Sequence, residues 1–277
     1  MPRRVHTTPA PVVEEAPEVV VSNDVVVERW EQGPLLERVA AQLADKSGPA
    51  LAIGSINIDH FHHFGKGRIE LPNEPRQTGV EWLMLADGAP VAARAAVAAG
   101  RSWPRLTGAD LLPELLDLAA AQGSRVGFVG GMPEVHARLD EILKESYPDM
   151  VARYWAPERE EIDSQEGSER IAAQIKAEGI DLLAVSLGKP RQELWIQTYG
   201  DQTGACVQLA FGASADFLAG KVDRAPQWMR EHGLEWAYRL GQEPGRLSRR
   251  YLLEGPVAMA RLLPARKVKR RGKVSTH

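Results

Sequence analysis

Short apolar runs alternate with longer amphipathic segments through most of this chain. The runs ALAIGSINI, VEWLMLAD and IDLLAVSLG begin at Ala50, Val80 and Ile180 and are typical of strands buried on both faces of a sheet. The segments APVAARAAVAAG and GSERIAAQIKAEG, which begin at Ala89 and Gly167, have the length and apolar spacing of helices. This alternation predicts an α/β fold, a Rossmann-like and mostly parallel sheet with helices on both faces.

The two ends of the chain differ from this alternating region. We expect residues 1–30 to form a disordered tail because the first residues are rich in Pro, Thr and Glu, although VVVSNDVVV within it could form one edge strand. The Rossmann-like core is then expected over residues 31–220. A helical C-terminal appendage is predicted over 221–262 and a basic tail over 263–277.

Charge and cysteine content narrow the class of protein. The formal net charge of −3 argues against a general nucleic-acid binder, and we expect no nucleic-acid partner. The single cysteine, Cys206, fits a reducing compartment, and buried packing accounts for it better than a catalytic thiol. We expect no secretion signal, because polar residues follow MPRR, and no membrane span, because no run approaches ~20 apolar residues.

Polar residues that follow the predicted strands are the first candidates for a binding site, because ligands of such sheets lie beyond the carboxyl ends of the strands. Four junctions carry such residues. They are Ser55 and Asn57, then Asp87, then Gly130 and Gly131, and finally the stretch GKPRQE that includes Lys189 and Gln192.

Asp87 and the glycine pair each have two interpretations. Asp87 follows an apolar strand and could act as a general base or form a helix cap or Asx turn. Gly130 and Gly131 could allow close approach of a phosphate to a helix N-terminus, or simply form a tight turn. They do not form a G-x-G-x-x-G motif, so a nicotinamide-dependent oxidoreductase is poorly supported.

Lys189 and Arg191 stand where a helix is predicted to begin. Cations are unfavourable there because the helix N-terminus carries positive partial charge. An anionic ligand nearby would offset this conflict, whereas plain solvent exposure of two long side chains is the alternative.

Taken in order, several motifs resemble those of the WecG/TagA/CpsF glycosyltransferase family. They are ADG at 86–88, LTGADLL at 106–112, FVGG, SLGKPRQELWI, FGASADFLAGKVDRAPQWM and GLEWAYRLGQEPGRLSRRYL. The resemblance extends from about Ala50 to Leu253, and the ordered combination is specific although each piece alone is weak.

The resemblance implies an inverting, metal-independent transferase that uses no cofactor. Its donor would be a UDP-sugar that carries an N-acetylhexosamine such as N-acetylmannosamine, and its acceptor a polyprenyl-diphosphate-linked sugar. The product would serve cell-wall, capsule or exopolysaccharide synthesis. A non-catalytic nucleotide-sugar-binding module in a polysaccharide assembly complex is the alternative.

The resemblance also assigns expected roles to residues. Asp87 corresponds to the catalytic base, and Arg105 would face the diphosphate. The resemblance implies substrate contacts from Ser55, Asn57, Thr107, Gln192 and Asp216. Substrate contacts are also expected from Gly130, Gly131 and Lys189, because of their places after the predicted strands. Arg224 is a further expected substrate contact, and the arginines expected to close over the active site are Arg239, Arg246, Arg249 and Arg250.

Two features concern metal binding. The chain has no Asp-x-Asp pair, so arginine is the expected partner of the leaving diphosphate. His60, His62 and His63 lie in the segment 60–79, where the family more often has an amphipathic helix. We interpret this segment as a surface loop, which could shape the acceptor pocket, rather than as a zinc site.

The C-terminal segment combines aromatic and leucine residues with arginines and ends in a basic tail. A basic amphipathic helix can lie on an anionic membrane surface. We therefore expect a cytoplasmic protein attached peripherally to the inner face of the cell membrane. A helical cap with a soluble tail and a nucleic-acid-binding tail are the alternatives, and homo-oligomerisation stays open.

Overall fold

The computed structural model describes residues 18–70 and 79–268, without the side chains of Glu231, Arg246, Arg250 and Tyr251. Its described residues form one nine-stranded sheet in the order β6-β5-β7-β8-β3-β4-β2-β1-β9. The strands are β1 (Val19–Ser22), β2 (Val25–Glu28), β3 (Ala50–Ile56), β4 (Val80–Ala86), β5 (Val126–Val129), β6 (Ala152–Trp155), β7 (Leu182–Val185), β8 (Val207–Ala210) and β9 (Arg266–Val268). The seven strands from β6 to β2 in this order are parallel, as the alternating pattern predicts.

Helices connect the strands and form the C-terminal part. They are α1 (Gln32–Asp45), α2 (His60–His63), α3 (Ala89–Ala99), α4 (Gly108–Ala121), α5 (Pro133–Ser146), α6 (Arg159–Asp163), α7 (Gln165–Ala177), α8 (Arg191–Tyr199), α9 (Ser214–Leu218), α10 (Gln227–Glu231), α11 (Glu235–Gln242), α12 (Pro244–Ser248) and α13 (Gly255–Leu262). A 3₁₀ turn spans Asp201–Thr203 and a π-helical segment spans Arg249–Glu254. In the described residues no helix has the length and apolar character needed to cross a bilayer.

Two hydrophobic clusters, one on each face, hold helices to the sheet. Leu83 and Leu85 of β4 belong to the cluster that contains the apolar faces of α1, α4 and α5. Trp82 and Met84, which alternate with them along the same strand, belong to the cluster that contains α3, α7, α8 and α13. Because successive side chains of a strand point to opposite faces, β4 must be apolar wherever helices cover both faces. This explains the run WLMLA that follows Glu81.

Three strands lie in segments that the sequence predicted to be tails. Val19–Glu28 was assigned to a tail, but it forms the hairpin of β1 and β2, in which Asn23 and Asp24 both have positive φ (49° and 65°). Two consecutive positive φ values are typical of a type I′ turn, which fits the twist of a hairpin. Arg266–Val268, assigned to the basic tail, forms β9 and pairs antiparallel with β1. The division of the chain into domains stays a prediction.

The order of strands reverses next to β3. The chain passes from β3 to its neighbour β4 on one side, then crosses to the other half of the sheet and returns through β7 to β8, which pairs with β3 on the opposite side. At such a switch point the loops after neighbouring strands separate and leave a crevice beyond their carboxyl ends. The fold therefore places a natural binding crevice above β3, β4, β7 and β8.

Candidate active site

A cavity of about 690 Å³ lies beyond the carboxyl ends of β3, β4, β7 and β8. Its volume is in the range of pockets that hold small-molecule ligands. It brings together eight of the residues that the sequence singled out: Ser55, Asn57, Asp87, Arg105, Thr107, Lys189, Gln192 and Arg239.

Asp87 enters the cavity directly after β4. Parallel pairing of β3 with β4 sets Ser55 opposite Leu85, and the Ser55 hydroxyl donates a hydrogen bond to Oδ2 of Asp87. The cap position of α3 belongs to Gly88, and no side chain caps that helix. The interpretation of Asp87 as a helix cap is therefore wrong, and its carboxylate is held by Ser55 at the cavity wall.

Arg105 and Thr107 line the cavity from the connection between α3 and α4. The Thr107 hydroxyl accepts a hydrogen bond from the backbone N–H of Asp110 (3.1 Å) and donates to Oδ2 of the same residue (2.6 Å), so it caps α4. Arg105 Nη1 donates to the carbonyl oxygen of Arg230 (2.7 Å). Both residues therefore also have a structural role: Thr107 caps α4, and Arg105 joins the core to α10.

The start of α8 contributes a buried polar group to the cavity wall. Gln192 and Glu193 are fully buried, and Gln192 Nε2 donates to Glu193 Oε1 (2.9 Å) and to the carbonyl oxygen of Ala210 (3.1 Å). Nε2 of His60 lies 3.2 Å from Glu193 Oε1, and His60 is also fully buried. A histidine from the segment after β3 is therefore part of the structure that holds Gln192.

The two cations near the start of α8 have different surroundings. Arg191 forms an ion pair with Asp163 (2.6 Å between Nε and Oδ1) and donates to the Leu187 carbonyl oxygen. Lys189 lines the cavity, and its positive charge lowers the pKa of the buried His60 and of the buried Glu193. Arg191 does not line the cavity, because its side chain pairs with Asp163 at the end of α6. Of these two cations, Lys189 is the one at the cavity.

Gly130, Gly131 and Asp216 lie outside the cavity lining. Gly130 has φ of 84°, and a Cβ there would lie 2.7 Å from the carbonyl oxygen of Ser186, so only glycine fits beside the end of β7. The tight-turn interpretation accounts for this glycine. The structure does not bring the glycine pair or Asp216 to Asp87 in one cavity.

The C-terminal arginines are not grouped at the cavity. Arg239 lines it, with its guanidinium carbon 5.2 Å from the centre of the Phe217 ring. Arg224 instead forms an ion pair with Asp110 (2.6 Å), and Arg249 is largely exposed and pairs with Glu254 (3.1 Å). The side chains of Arg246 and Arg250 lie outside the described part of the structure.

Asp110 connects α4 to the segment that leads into α10. Besides Thr107, its carboxylate contacts Arg224 (2.6 Å) and Arg230 (3.5 Å). Burial opposes ionisation of this carboxyl, but the hydrogen bonds from Arg224 and Thr107 outweigh burial and hold its pKa below the usual value. An ionised Asp110 thus fastens the C-terminal helices beside the cavity.

The sequence predicted a surface loop over 60–79, but part of this segment is helical and buried. His60–His63 form the short helix α2, His60, Phe61 and Phe64 are buried, and α2 packs against α13. Arg261 of α13 donates to the carbonyl oxygens of Phe61 and His62. Residues 71–78 lie outside the described residues, and within the described ranges no group of three or more His, Cys, Asp and Glu could hold a metal ion.

Apart from Arg239, sequence reasoning missed the cavity residues of the C-terminal helices, and it also missed Phe217 of α9. The C-terminal residues that it missed are Glu235, Trp236, Pro256 and Met259. Glu235 and Trp236 belong to the GLEW motif, which was a usable signal, whereas nothing in the sequence singled out Pro256 or Met259.

Cys206 is a free, buried cysteine. Burial raises the pKa of its thiol to about 11, so the thiol stays protonated near neutral pH. This agrees with a packing role.

The chain was compared with models of protein families. Residues 24–272 match the family described as "Glycosyl transferase WecG/TagA/CpsF family". The matched range includes every residue of the cavity wall.

Proposed function

Because the chain belongs to the WecG/TagA/CpsF family of glycosyltransferases, we propose that it is an inverting hexosyltransferase. It moves an N-acetylhexosamine-type sugar from a UDP donor to a polyprenyl-diphosphate-linked sugar. The observation that carries the proposal is the carboxylate of Asp87, held by Ser55 in a cavity that Arg105, Lys189 and Arg239 also line.

In this proposal Asp87 acts as the general base. An acceptor hydroxyl that attacks the anomeric carbon must lose its proton as the new C–O bond forms, and a carboxylate can accept that proton. The bond from the anomeric carbon to the diphosphate breaks at the same time, and UDP leaves with the bonding electrons. Attack from the face opposite UDP inverts the configuration. The hydrogen bond from Ser55 fixes the direction of the carboxylate.

The cations at the cavity can stabilise the negative charge on the leaving diphosphate. Arg105 and Arg239 carry permanent charge, and a guanidinium can donate two parallel hydrogen bonds to phosphate oxygens. Lys189 adds a third charge at the start of α8. The sequence has no Asp-x-Asp pair, so we propose that these three cations take the role that a bound metal ion has in many other transferases.

The lipid-linked acceptor requires that the enzyme reach a membrane surface. Among the described residues, eight of the twelve exposed large apolar side chains lie between Trp228 and Leu263, in the part of the chain that contains helices α10 to α13. The sequence continues from Arg266 into the basic run RKVKRRGK. Apolar side chains beside clustered cations are typical of a surface that binds an anionic bilayer. We therefore propose peripheral attachment through this part of the chain.

A donor screen tests the proposed reaction. UDP release is measured with a panel of UDP-N-acetylhexosamines and a polyprenyl-diphosphate-linked sugar, with EDTA present throughout. We expect release that depends on both substrates and persists in EDTA. Binding of UDP-sugar without any transfer would instead favour the non-catalytic module, and activity that EDTA abolishes would refute the role of the three cations.

A further inference from the structure

In the side-chain amide of Gln192, the nitrogen has hydrogen-bond partners, whereas the oxygen has none among the described residues. Its nitrogen donates to Glu193 Oε1 and to the Ala210 carbonyl oxygen. Its Oε1 is buried and has no hydrogen-bond partner among the described residues, and it lies 3.6 Å from where a Cβ on Gly212 would be. Gln192 and Gly212 both line the cavity. A buried acceptor without a partner is costly, so a group at a cavity wall is well placed to be satisfied by a ligand.

The surroundings of Gln192 permit only one orientation of its amide. Both neighbours of Nε2 are acceptors, a backbone carbonyl and a carboxylate, and neither has a proton to donate. Turning the amide over would put Oε1 against two other oxygens in a buried site. Oε1 must therefore point away from Glu193 as long as Glu193 is ionised.

His60 supplies the condition that keeps Glu193 ionised. The backbone N–H of Asn57 donates to His60 Nδ1 (3.1 Å), so the proton of the neutral imidazole is on Nε2 and is donated to Glu193 Oε1. Burial lowers the pKa of His60 and so keeps the ring neutral. Burial opposes ionisation of Glu193, but the hydrogen bond from His60 and the charge of Lys189 outweigh it and lower its pKa.

We infer that His60 and Glu193 are positioning residues, which fix the amide of Gln192 so that its Oε1 accepts a hydrogen bond from an N–H or O–H group of the donor substrate. This inference rests on the proposed function, because the substrate is taken to be a UDP-sugar. The donor group could belong to the uracil ring or to the sugar, and both have N–H or O–H groups of the required kind.

A double-mutant cycle separates this positioning role from a merely structural one. Dissociation constants of UDP and of UDP-N-acetylglucosamine are measured for Gln192→Leu, Glu193→Met and the double variant. We expect each single variant to bind UDP-N-acetylglucosamine roughly tenfold more weakly, as for loss of one hydrogen bond. The double variant should be no weaker than Gln192→Leu, because Glu193 acts through Gln192. Glu193→Gln keeps an oxygen that can accept from both His60 and the Gln192 amide, so this variant should bind as the unaltered protein does.

The two ligands identify which part of the donor is recognised. If Gln192→Leu weakens UDP and UDP-N-acetylglucosamine equally, the hydrogen bond comes from the nucleotide. If Gln192→Leu weakens binding of UDP-N-acetylglucosamine but leaves binding of UDP unchanged, the hydrogen bond comes from the sugar. Gln208→Leu is the matched control and should leave both dissociation constants unchanged. Gln208 is also fully buried, and its Oε1 has no hydrogen-bond partner in the part of the chain that the structure describes, but it lies outside the cavity lining.

Three results would overturn the inference. The first is a folded Glu193→Met variant that binds as the unaltered protein does, and the second is a double variant weakened about a hundredfold, as for independent effects. The third is an unaltered protein that binds neither ligand. Intact binding without transfer would refute the proposed function alone.

NMR of the unaltered protein gives a test that does not depend on a Glu193 variant folding. The two side-chain amide protons of Gln192, assigned by their loss in Gln192→Leu, should exchange slowly with solvent both with and without UDP-N-acetylglucosamine. Fast exchange in the free protein would contradict an amide fixed by Glu193.

Discussion

Among single residues, the buried His60 is the one whose protonation most directly opposes folding. Burial lowers the pKa of His60, and the nearby charge of Lys189 acts in the same direction, whereas Glu193 and Asp59 oppose it. The unfolded chain therefore takes up a proton near the ordinary histidine pKa of about 6.5, while the folded protein does not. Stability from this group is complete above that pH and is lost as the pH falls below it.

The variant His60→Asn tests this dependence. Its free energy of unfolding, measured by urea titration between pH 7 and pH 5, should fall less steeply with acidification than that of the unaltered protein. A single group contributes at most about 1.4 kcal/mol per pH unit, which bounds the difference in slope. The exposed His232 provides the control, and His232→Asn should follow the unaltered protein. Parallel curves for His60→Asn and the unaltered protein would contradict the buried neutral imidazole.

Single residues also show which parts of the site could be predicted from the sequence and which could not. Asp87 and Gln192 were identified because they follow apolar strands, and parallel strands bring their carboxyl ends to one edge. The contact between His60 and Glu193 joins residues 133 positions apart, and no local pattern reports such a contact. His60 was therefore assigned to a surface loop, although Phe61 and Phe64 beside it are apolar residues that a loop would not need.

At the scale of elements, the strands between Ala50 and Ala210 and the helices other than α2 agree with the apolar pattern, because two buried faces require apolar strands. The hairpin of β1 and β2 was underestimated, since the composition of the tail outweighed the Asn-Asp turn between two valine runs. Strand β9 could not be predicted. Its residues are exposed and basic, and it forms through pairing with β1, a contact made between opposite ends of the chain.

The C-terminal helices form a second functional element beside the sheet. Trp236 and Met259 reach the cavity wall from α11 and α13, and both remain partly exposed. Leu252 and Leu253, in the π-helical segment between α12 and α13, are 62% and 68% exposed. The same helices thus contribute to the cavity and carry the exposed apolar side chains that we propose to contact lipid.

Vesicle binding tests this element. The double variant Leu252→Ser with Leu253→Ser should sediment less with vesicles of phosphatidylcholine and phosphatidylglycerol, by roughly tenfold or more in partition coefficient, since burying one leucine contributes about 1.5–3 kcal/mol. Met132→Ser alters an exposed apolar residue next to α5 and should bind as the unaltered protein does. Equal binding of all three proteins, or no preference of the unaltered protein for the anionic lipid, would argue against membrane attachment by these helices.

At the scale of the whole molecule, the switch point of the sheet and the C-terminal helices combine into one site. The sheet supplies Ser55 and Asp87 from β3 and β4 and Gln192 from the segment after β7, and the C-terminal helices supply Arg239 and the outer wall. Asp110 and Arg105 hold the two parts together through Arg224 and the Arg230 carbonyl oxygen. The proposed reaction needs both parts, because the base lies on the sheet side and one of the cations on the helical side.

The most direct test of the account compares Asp87→Asn with the unaltered protein in single-turnover transfer, in EDTA, from the UDP-sugar selected by the donor screen to its lipid-linked acceptor. The account predicts that Asp87→Asn binds the UDP-sugar with nearly unchanged affinity and transfers it about 10²- to 10⁴-fold more slowly, the usual contribution of a general base. Asp140→Asn, a substitution on α5 outside the cavity, should transfer at the normal rate. Transfer by Asp87→Asn at the rate of the unaltered protein would contradict the account.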